Sequence, residues 1–278
     1  MTKENIKKEI QKAILDARKS NPLVASITNT VTVNLVANVQ LAIGGSAAMI
    51  YMPDEGEKFA AAGSAMYINM GTVLPIYEET LPRAAKALRD SKVPWVLDPV
   101  GIGIGDTRMK ILSVFKENKP NIIRGNASEI IALANFWNLY SGVEKDGVRG
   151  VDATDSVESA KQAALSLADF IEGAVAVSGE TDLVTNGKIV VIMRGGSKFL
   201  PMITGAGCAL GGVMAIYEAV ATPFIAALTA TALFNYAGQV SENISKGPAS
   251  FQMNFIDSLY SANAADVSDM PFLMQEVS

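Results

Sequence analysis

Three short stretches of this 278-residue chain combine reactive side chains with glycine-rich backbone. In "VLDPVGIGIGD", Asp98 precedes glycines that let a backbone approach a ligand closely. In "IIRGNASEI", Arg124 and Glu129 stand on either side of a helix start, and an Arg at a strand end suits bidentate contact with phosphate. In "ITGAGCALGG", Gly205 and Gly207 bracket the only cysteine, Cys208, just before a helical run, and a helix N-terminus offers unpaired N–H groups to an anion. Each stretch also has a plainer reading. Asp98 suits a Pro/Gly turn, Glu129 lies three residues after Asn126 as a capping box requires, and a lone Cys is commonly a buried, inert thiol. A helix start also lowers a thiol's pKa, so a reactive Cys208 stays open. No Lys follows the glycines, so the last stretch is no Walker loop, and "GIGIG" lacks the third glycine of a dinucleotide fingerprint.

What the chain lacks narrows the chemistry further. There is no histidine, which removes Ser/His and Cys/His pairs and His-ligated zinc. The remaining groups are carboxylates, Lys, Arg, hydroxyls, one thiol and backbone dipoles. With 23 basic and 28 acidic residues, a net charge of −5 and no basic cluster, nucleic acid is not an expected partner. One cysteine cannot form an internal disulfide, so a cytoplasmic location is expected.

Those residues need elements to position them. The apolar residues Ile6, Ile10, Ala13, Ile14 and Ala17 fall at helical spacing in an N-terminal stretch too charged for a signal peptide. Beyond it, short apolar runs ending in polar residues alternate with helical patterns. The predicted strands end at Ile27, in "SAAMIYM", in "AMYINMGT", at Asp98, in "NIIRGN" and in "AVAVSG", and Asn186-Gly187 marks a hairpin. Predicted helices include one from about Thr32, one beginning near Pro82, "DTRMKILSVFKE", "ASEIIALAN" and one over 156–172. "PDEGEK" reads as polar connection, 136–155 as a surface excursion, and the tail after Tyr260 is too weakly patterned to read. The uncharged stretch 219–241 is long enough to span a bilayer but too rich in Ala and Thr, so buried helices are expected and no membrane. Alternating strands and helices imply one α/β domain over 1–278, with a mostly parallel sheet covered on both faces. Ligands of such sheets bind at the carboxyl ends of strands, which here carry Asn29, Gly71-Thr72, Asp98, Arg124 to Asn126 and Ser178-Gly179.

Seven segments, in order from about residue 22 to 260, resemble the hydroxyethylthiazole kinase family. They are "PLVASITNTVTVNLVANVQLAIGGS", "INMGTVLP", "VPWVLDPVGIG", "IIRGNASEI", "VAVSGETD", "ITGAGCALGG" and "GPASFQMNFIDSLY". The resemblance implies a ribokinase-like three-layer sandwich, a homotrimer with sites between subunits, and Mg2+-dependent transfer of the ATP γ-phosphoryl group to 4-methyl-5-(2-hydroxyethyl)thiazole. By motif it assigns Met49, Asn29, Gly71, Thr72 and Gly205 to the alcohol substrate, and Arg124 and Ser178 to ATP. Asp98 and Glu129 become the acidic pair associated with Mg2+ and phosphates. Cys208 occupies the position where other ribokinase-like enzymes carry an Asp base, and it is expected to act as a weak base or to orient the hydroxyl. The chain departs from the family's usual pattern at Ala206, in the glycine motif, and at Ala25-Ser26, before "ITN". The rivals are an ADP-dependent NAD(P)H-hydrate dehydratase of the same fold, which usually has Asp in place of Cys208, and a ligand-binding homologue that has lost catalysis.

Overall fold

The computed structural model describes residues 1–142 and 157–277. Its centre is a sheet of nine strands in the order β2-β1-β3-β4-β5-β6-β7-β8-β9. Strands β1 (Leu23–Ile27), β2 (Ser46–Met49), β3 (Ala65–Asn69), β4 (Trp95–Asp98), β5 (Ile122–Asn126) and β6 (Ala174–Ser178) pair in parallel. Strands β7 (Thr181–Thr185), β8 (Ile189–Arg194) and β9 (Phe272–Glu276) extend the sheet antiparallel. Gly187, at φ +84°, turns the β7–β8 hairpin at the expected Asn-Gly pair.

Alternation along the parallel strands splits the core in two. Val24, Tyr67, Val96, Ile122 and Ala176 face one layer of helices, whereas Ala25, Met66, Leu97, Ile123 and Val177 face the other. The first layer holds α1 (Lys3–Ser20), α2 (Val33–Ala42), α8 (Ala206–Glu218), α9 (Pro223–Ile244), α10 (Pro248–Ser261) and α11 (Ala264–Ser268). The second holds α3 (Pro53–Ala62), α4 (Tyr77–Ser91), α5 (Asp106–Glu117), α6 (Ala127–Phe136) and α7 (Lys161–Ile171). This is the expected three-layer sandwich. Because α2 lies on one face and α3 to α5 on the other, winding reverses between β1 and β3, which opens a crevice at their carboxyl ends.

The apolar stripe of α1 is buried at the five predicted residues. Helix α1 also meets α11, where Lys7 pairs with Asp269 at 2.9 Å, Gln11 donates to Ser268 at 2.8 Å, and Lys3 reaches the carbonyl of Phe272 at 3.5 Å. The stretch 219–241 lies mostly in α9, whose buried Thr229 and Thr231 donate to carbonyls one turn earlier, at 2.7 and 2.9 Å. Among the described residues no helix is long and apolar enough to cross a membrane.

Several elements differ from expectation. "PDEGEK" begins α3, with Pro53 at its first position, where the missing N–H costs nothing. Helix α4 starts at Tyr77 and contains Pro82, held by a buried stripe of Tyr77, Leu81, Ala84, Ala85 and Leu88 that outweighs the lost backbone bond. Helix α7 begins at Lys161, five residues later than predicted. Of the expected excursion, Phe136 ends α6 and Trp137 is buried, its Nε1 donating to Leu112 at 3.0 Å, while 143–156 lie outside the described residues. The weakly patterned tail supplies α11 and the edge strand β9.

Candidate active site

Period-two alternation places Tyr67 and Asn69 of β3, Asp98 of β4, Arg124 of β5 and Ser178 of β6 on one face of the sheet, the face that α8 crosses. Their side chains join into one network at the strand ends. Asp98 is fully buried, and its Oδ2 accepts from Tyr67 Oη at 3.0 Å, Asn69 Nδ2 at 3.0 Å and Arg124 Nη1 at 3.2 Å. Its Oδ1 has no hydrogen-bond partner among the described residues. Arg124 also donates from Nε to Ser178 at 3.4 Å.

Helix α8 can lie this close because glycines face the sheet. A Cβ on Gly207 would fall 2.6 Å from Arg124 Nη2, and one on Gly211 would fall 2.5 Å from the Tyr67 ring. The helix starts at Ala206, so Gly207 and Cys208 sit in its first turn. Gly207 makes room for the guanidinium, beyond the anion-loop role its sequence suggested. Gly205 caps the helix at φ +92°, a conformation suited to glycine, and a side chain there would collide with Thr32. Cys208 Sγ takes a hydrogen bond from Asn29 Nδ2 at 3.1 Å. Asn29 also reaches Asn69 at 3.3 Å and accepts the Thr32 N–H at 3.1 Å, while Asn69 accepts the Gly71 N–H at 2.8 Å. Thr72 takes the Thr30 N–H at 3.3 Å. Asn29, Asn69, Gly71 and Thr72 therefore occupy the β1/β3 crevice. Met49, paired with Ser26 at the end of β2, lies farther along the same side and packs against the core in the layer of α2.

Glu129 approaches from the opposite helical layer. The full capping box is present: Asn126 accepts the Glu129 N–H at 2.9 Å, and Glu129 accepts the Asn126 N–H at 2.8 Å. The plain structural role is thus real, and it leaves the carboxylate close enough to Asp98 and Arg124 for both to act on it. Burial, then the charge of Asp98, pushes Glu129 above the usual carboxylate range, and Arg124 pulls it back. Burial also pushes Asp98 up, opposed by Arg124 and its hydrogen bonds. Both carboxyls are therefore held above their ordinary range, and one oxygen of Asp98 has no hydrogen-bond partner among the described residues. Burial, then the charge of Asp98, pushes the Cys208 thiol up, opposed by Arg124 and the hydrogen bonds of Thr32 and Asn29.

A cleft of about 840 Å3 runs from Arg124 and Gly207 past Ser178, Gly179 and Asp182 to Lys198 and Asn235. Sequence reasoning found Arg124, Ser178 and the glycine loop, and it missed Tyr67 and Asn69, which hold Asp98. Alternation in "AMYIN" would have placed both on the face of Asp98. It also missed Asp182 and Asn235, which no local pattern marks.

The hydroxyethylthiazole kinase family matches residues 14–264 of the chain. A relative named hydroxyethylthiazole kinase, from Bifidobacterium longum (strain DJO10A), is 46% identical over 97% of this chain and 92% of its own length. The structure of a hydroxyethylthiazole kinase protein from Pyrococcus horikoshii OT3 is 29% identical, covers 98% of this chain and 100% of its own, and superposes with a TM-score of 0.84. A pyridoxal kinase from Staphylococcus aureus in complex with ADP covers 92% of this chain and 99% of its own at 16% identity and a TM-score of 0.59, and shares the fold. The chain belongs to the hydroxyethylthiazole kinase family.

Proposed function

We propose that this protein transfers the γ-phosphoryl group of ATP to the primary hydroxyl of 4-methyl-5-(2-hydroxyethyl)thiazole. The observation that carries the reading is Asp98: a fully buried carboxylate, ringed by donors, with one oxygen left over beside the cleft that begins at Arg124. Its neighbours suit phosphoryl transfer. Arg124 and the first turn of α8 present positive charge and N–H groups where negative charge would gather. Asp98 and Glu129 would hold Mg2+, a cation that takes one or two carboxylates and completes its shell with phosphates and water. When bound it neutralises charge on the phosphates. Ser178 and Arg124 hold the nucleotide, and Asn29, Met49, Gly71, Thr72 and Gly205 shape the alcohol pocket.

In this reading Cys208 orients the acceptor hydroxyl. Its thiol keeps its proton at neutral pH, and a loose phosphoryl transition state depends on positioning more than on a strong base. The dehydratase reading is not favoured: the relatives bear the kinase name, and Cys stands at 208. The same reading makes the protein a cytoplasmic homotrimer. The trimer draws support from the exposed apolar Val31 and Met202, which line a depression of about 360 Å3 at Thr204 that a second copy would cover.

The experiment is incubation with Mg-ATP and the thiazole alcohol, followed by mass spectrometry for the phosphate ester and ADP. Ester formed by the wild type and lost in Asp98→Ala supports the kinase. Binding of both substrates without transfer by the wild type supports the ligand-binding homologue instead. Light scattering checks the trimer.

A further inference from the structure

The end of β6 and its turn into β7, Ser178-Gly179-Glu180, line both the cleft beside α8 and a second hollow of about 1050 Å3. Residues distant in sequence fix that turn. Asp182, on β7, accepts the Gly179 N–H on Oδ1 at 3.2 Å and Asn235 Nδ2, from α9, on Oδ2 at 2.9 Å. Asn235 also anchors the opposite wall, since its carbonyl accepts the Gly196 N–H at 3.2 Å and a Cβ on Gly195 would fall 2.7 Å from its own. One carboxylate–amide pair thus ties the turn, the 195–196 loop and α9 into a single frame.

A carboxylate is an expensive residue for a purely structural tie. Among the described residues no Lys or Arg forms an ion pair with Asp182, and burial pushes its carboxyl above the usual range. It also stands in the wall of the cleft proposed above as the seat of a polyanion. Both of its oxygens are engaged by N–H donors of the frame, and the turn it holds leads through Ser178 to Arg124.

We infer that Asp182, oriented by Asn235, is a positioning residue for the nucleotide, setting the Ser178-Gly179 turn that contacts the ATP phosphates, an inference that rests on the ATP reading. Asp182 acts through the turn and touches no reacting atom.

The test exchanges the two side chains. In Asp182→Asn one acceptor oxygen is left for the two N–H donors of the frame, and the charge that strengthens both bonds is lost. In the double variant D182N/N235D amide and carboxylate trade places, and the bond reforms with reversed polarity. The expected result is an increase of about tenfold in KM for ATP and in the Kd of a non-hydrolysable ATP analogue for D182N, the size of one lost hydrogen bond, with KM for the thiazole alcohol within about twofold. The double variant should recover most of the loss. An unchanged analogue Kd in D182N overturns the inference, as does an equal rise in both KM values accompanied by a lowered melting temperature. If D182N does not fold, Asn235→Ala carries the same expectation. Analogue binding is read without turnover, so a wild-type enzyme inactive on the thiazole would defeat the kinase reading separately.

Discussion

The two ends of α8 carry two buried carboxylates with opposite surroundings. Near its N-terminus stands Asp98, with Tyr67, Asn69 and Arg124 on one oxygen and, among the described residues, no hydrogen-bond partner on the other. In its last turn stands Glu218, also buried, with Oε2 unpartnered and no ion pair among the described residues. Burial alone pushes Glu218 up to about 9, so it stays protonated at neutral pH. At Asp98 the protein opposes the same penalty with a guanidinium and two further donors. Burying a carboxyl is therefore not by itself a sign of function; the groups arranged to keep it charged are what separate the site from the opposite end of the helix.

That contrast can be broken most directly by replacing each carboxyl with an amide. Asp98→Asn should lower kcat by about a hundredfold to a thousandfold, the range for losing a preorganised electrostatic group, in a protein whose circular dichroism is unchanged. Glu218→Gln should leave kcat within about twofold in the same assay, since Glu218 lies at the far end of the helix from the strand ends. Its effect belongs to stability. Above an ordinary pKa of 4.5 the unfolded carboxyl releases its proton while the folded one holds it to about 9, so the native state binds more protons and stability falls as pH rises through that window. Denaturant melts should show E218Q more stable than wild type by about 1–3 kcal/mol at pH 8, with the gap closing toward pH 5.

Gly207 and Gly211 sharpen the comparison from the helix side. Gly211→Ala presses on the Tyr67 ring and should cost about 1–3 kcal/mol of stability, as overpacking does. Gly207→Ala displaces the Arg124 guanidinium and should raise KM for ATP by about tenfold with a smaller change in melting temperature, the size of one charge-assisted hydrogen bond to phosphate. Cys208→Asp should retain activity within about tenfold, because a carboxylate can take over the hydroxyl-orienting role. A folded C208D enzyme without activity would remove Cys208 from that position.

Much of this site was legible because its residues end strands. Asp98, Arg124 and Ser178 each follow an apolar run, and parallel α/β topology collects such ends on one edge. The apolar stripe of α1 was equally plain. What escaped depended on partners distant in the chain. Tyr67 sits inside an apolar strand and reads as core until Asp98 is placed beside it. Asp182 and Asn235 are separated by strand β8 and helix α8, so neither carries a local mark of the other. Pro82 misled because burial of its neighbours overrides a local penalty. Strand β9 was invisible for the opposite reason: an edge strand with exposed Leu273 has too little buried alternation to signal itself.

The seam between α1 and α11 has a topological consequence. Since Lys3 touches the carbonyl of Phe272 and Lys7 reaches Asp269, the two ends of the described chain meet on one side of the sandwich. A short linker could join them, and the chain could be reopened at the Asn186-Gly187 turn, which connects neighbouring strands outside the α8 cleft. The sheet could then keep its strand order with a different first residue, so the order in which the strands are written along the chain is separable from the order in which they stand.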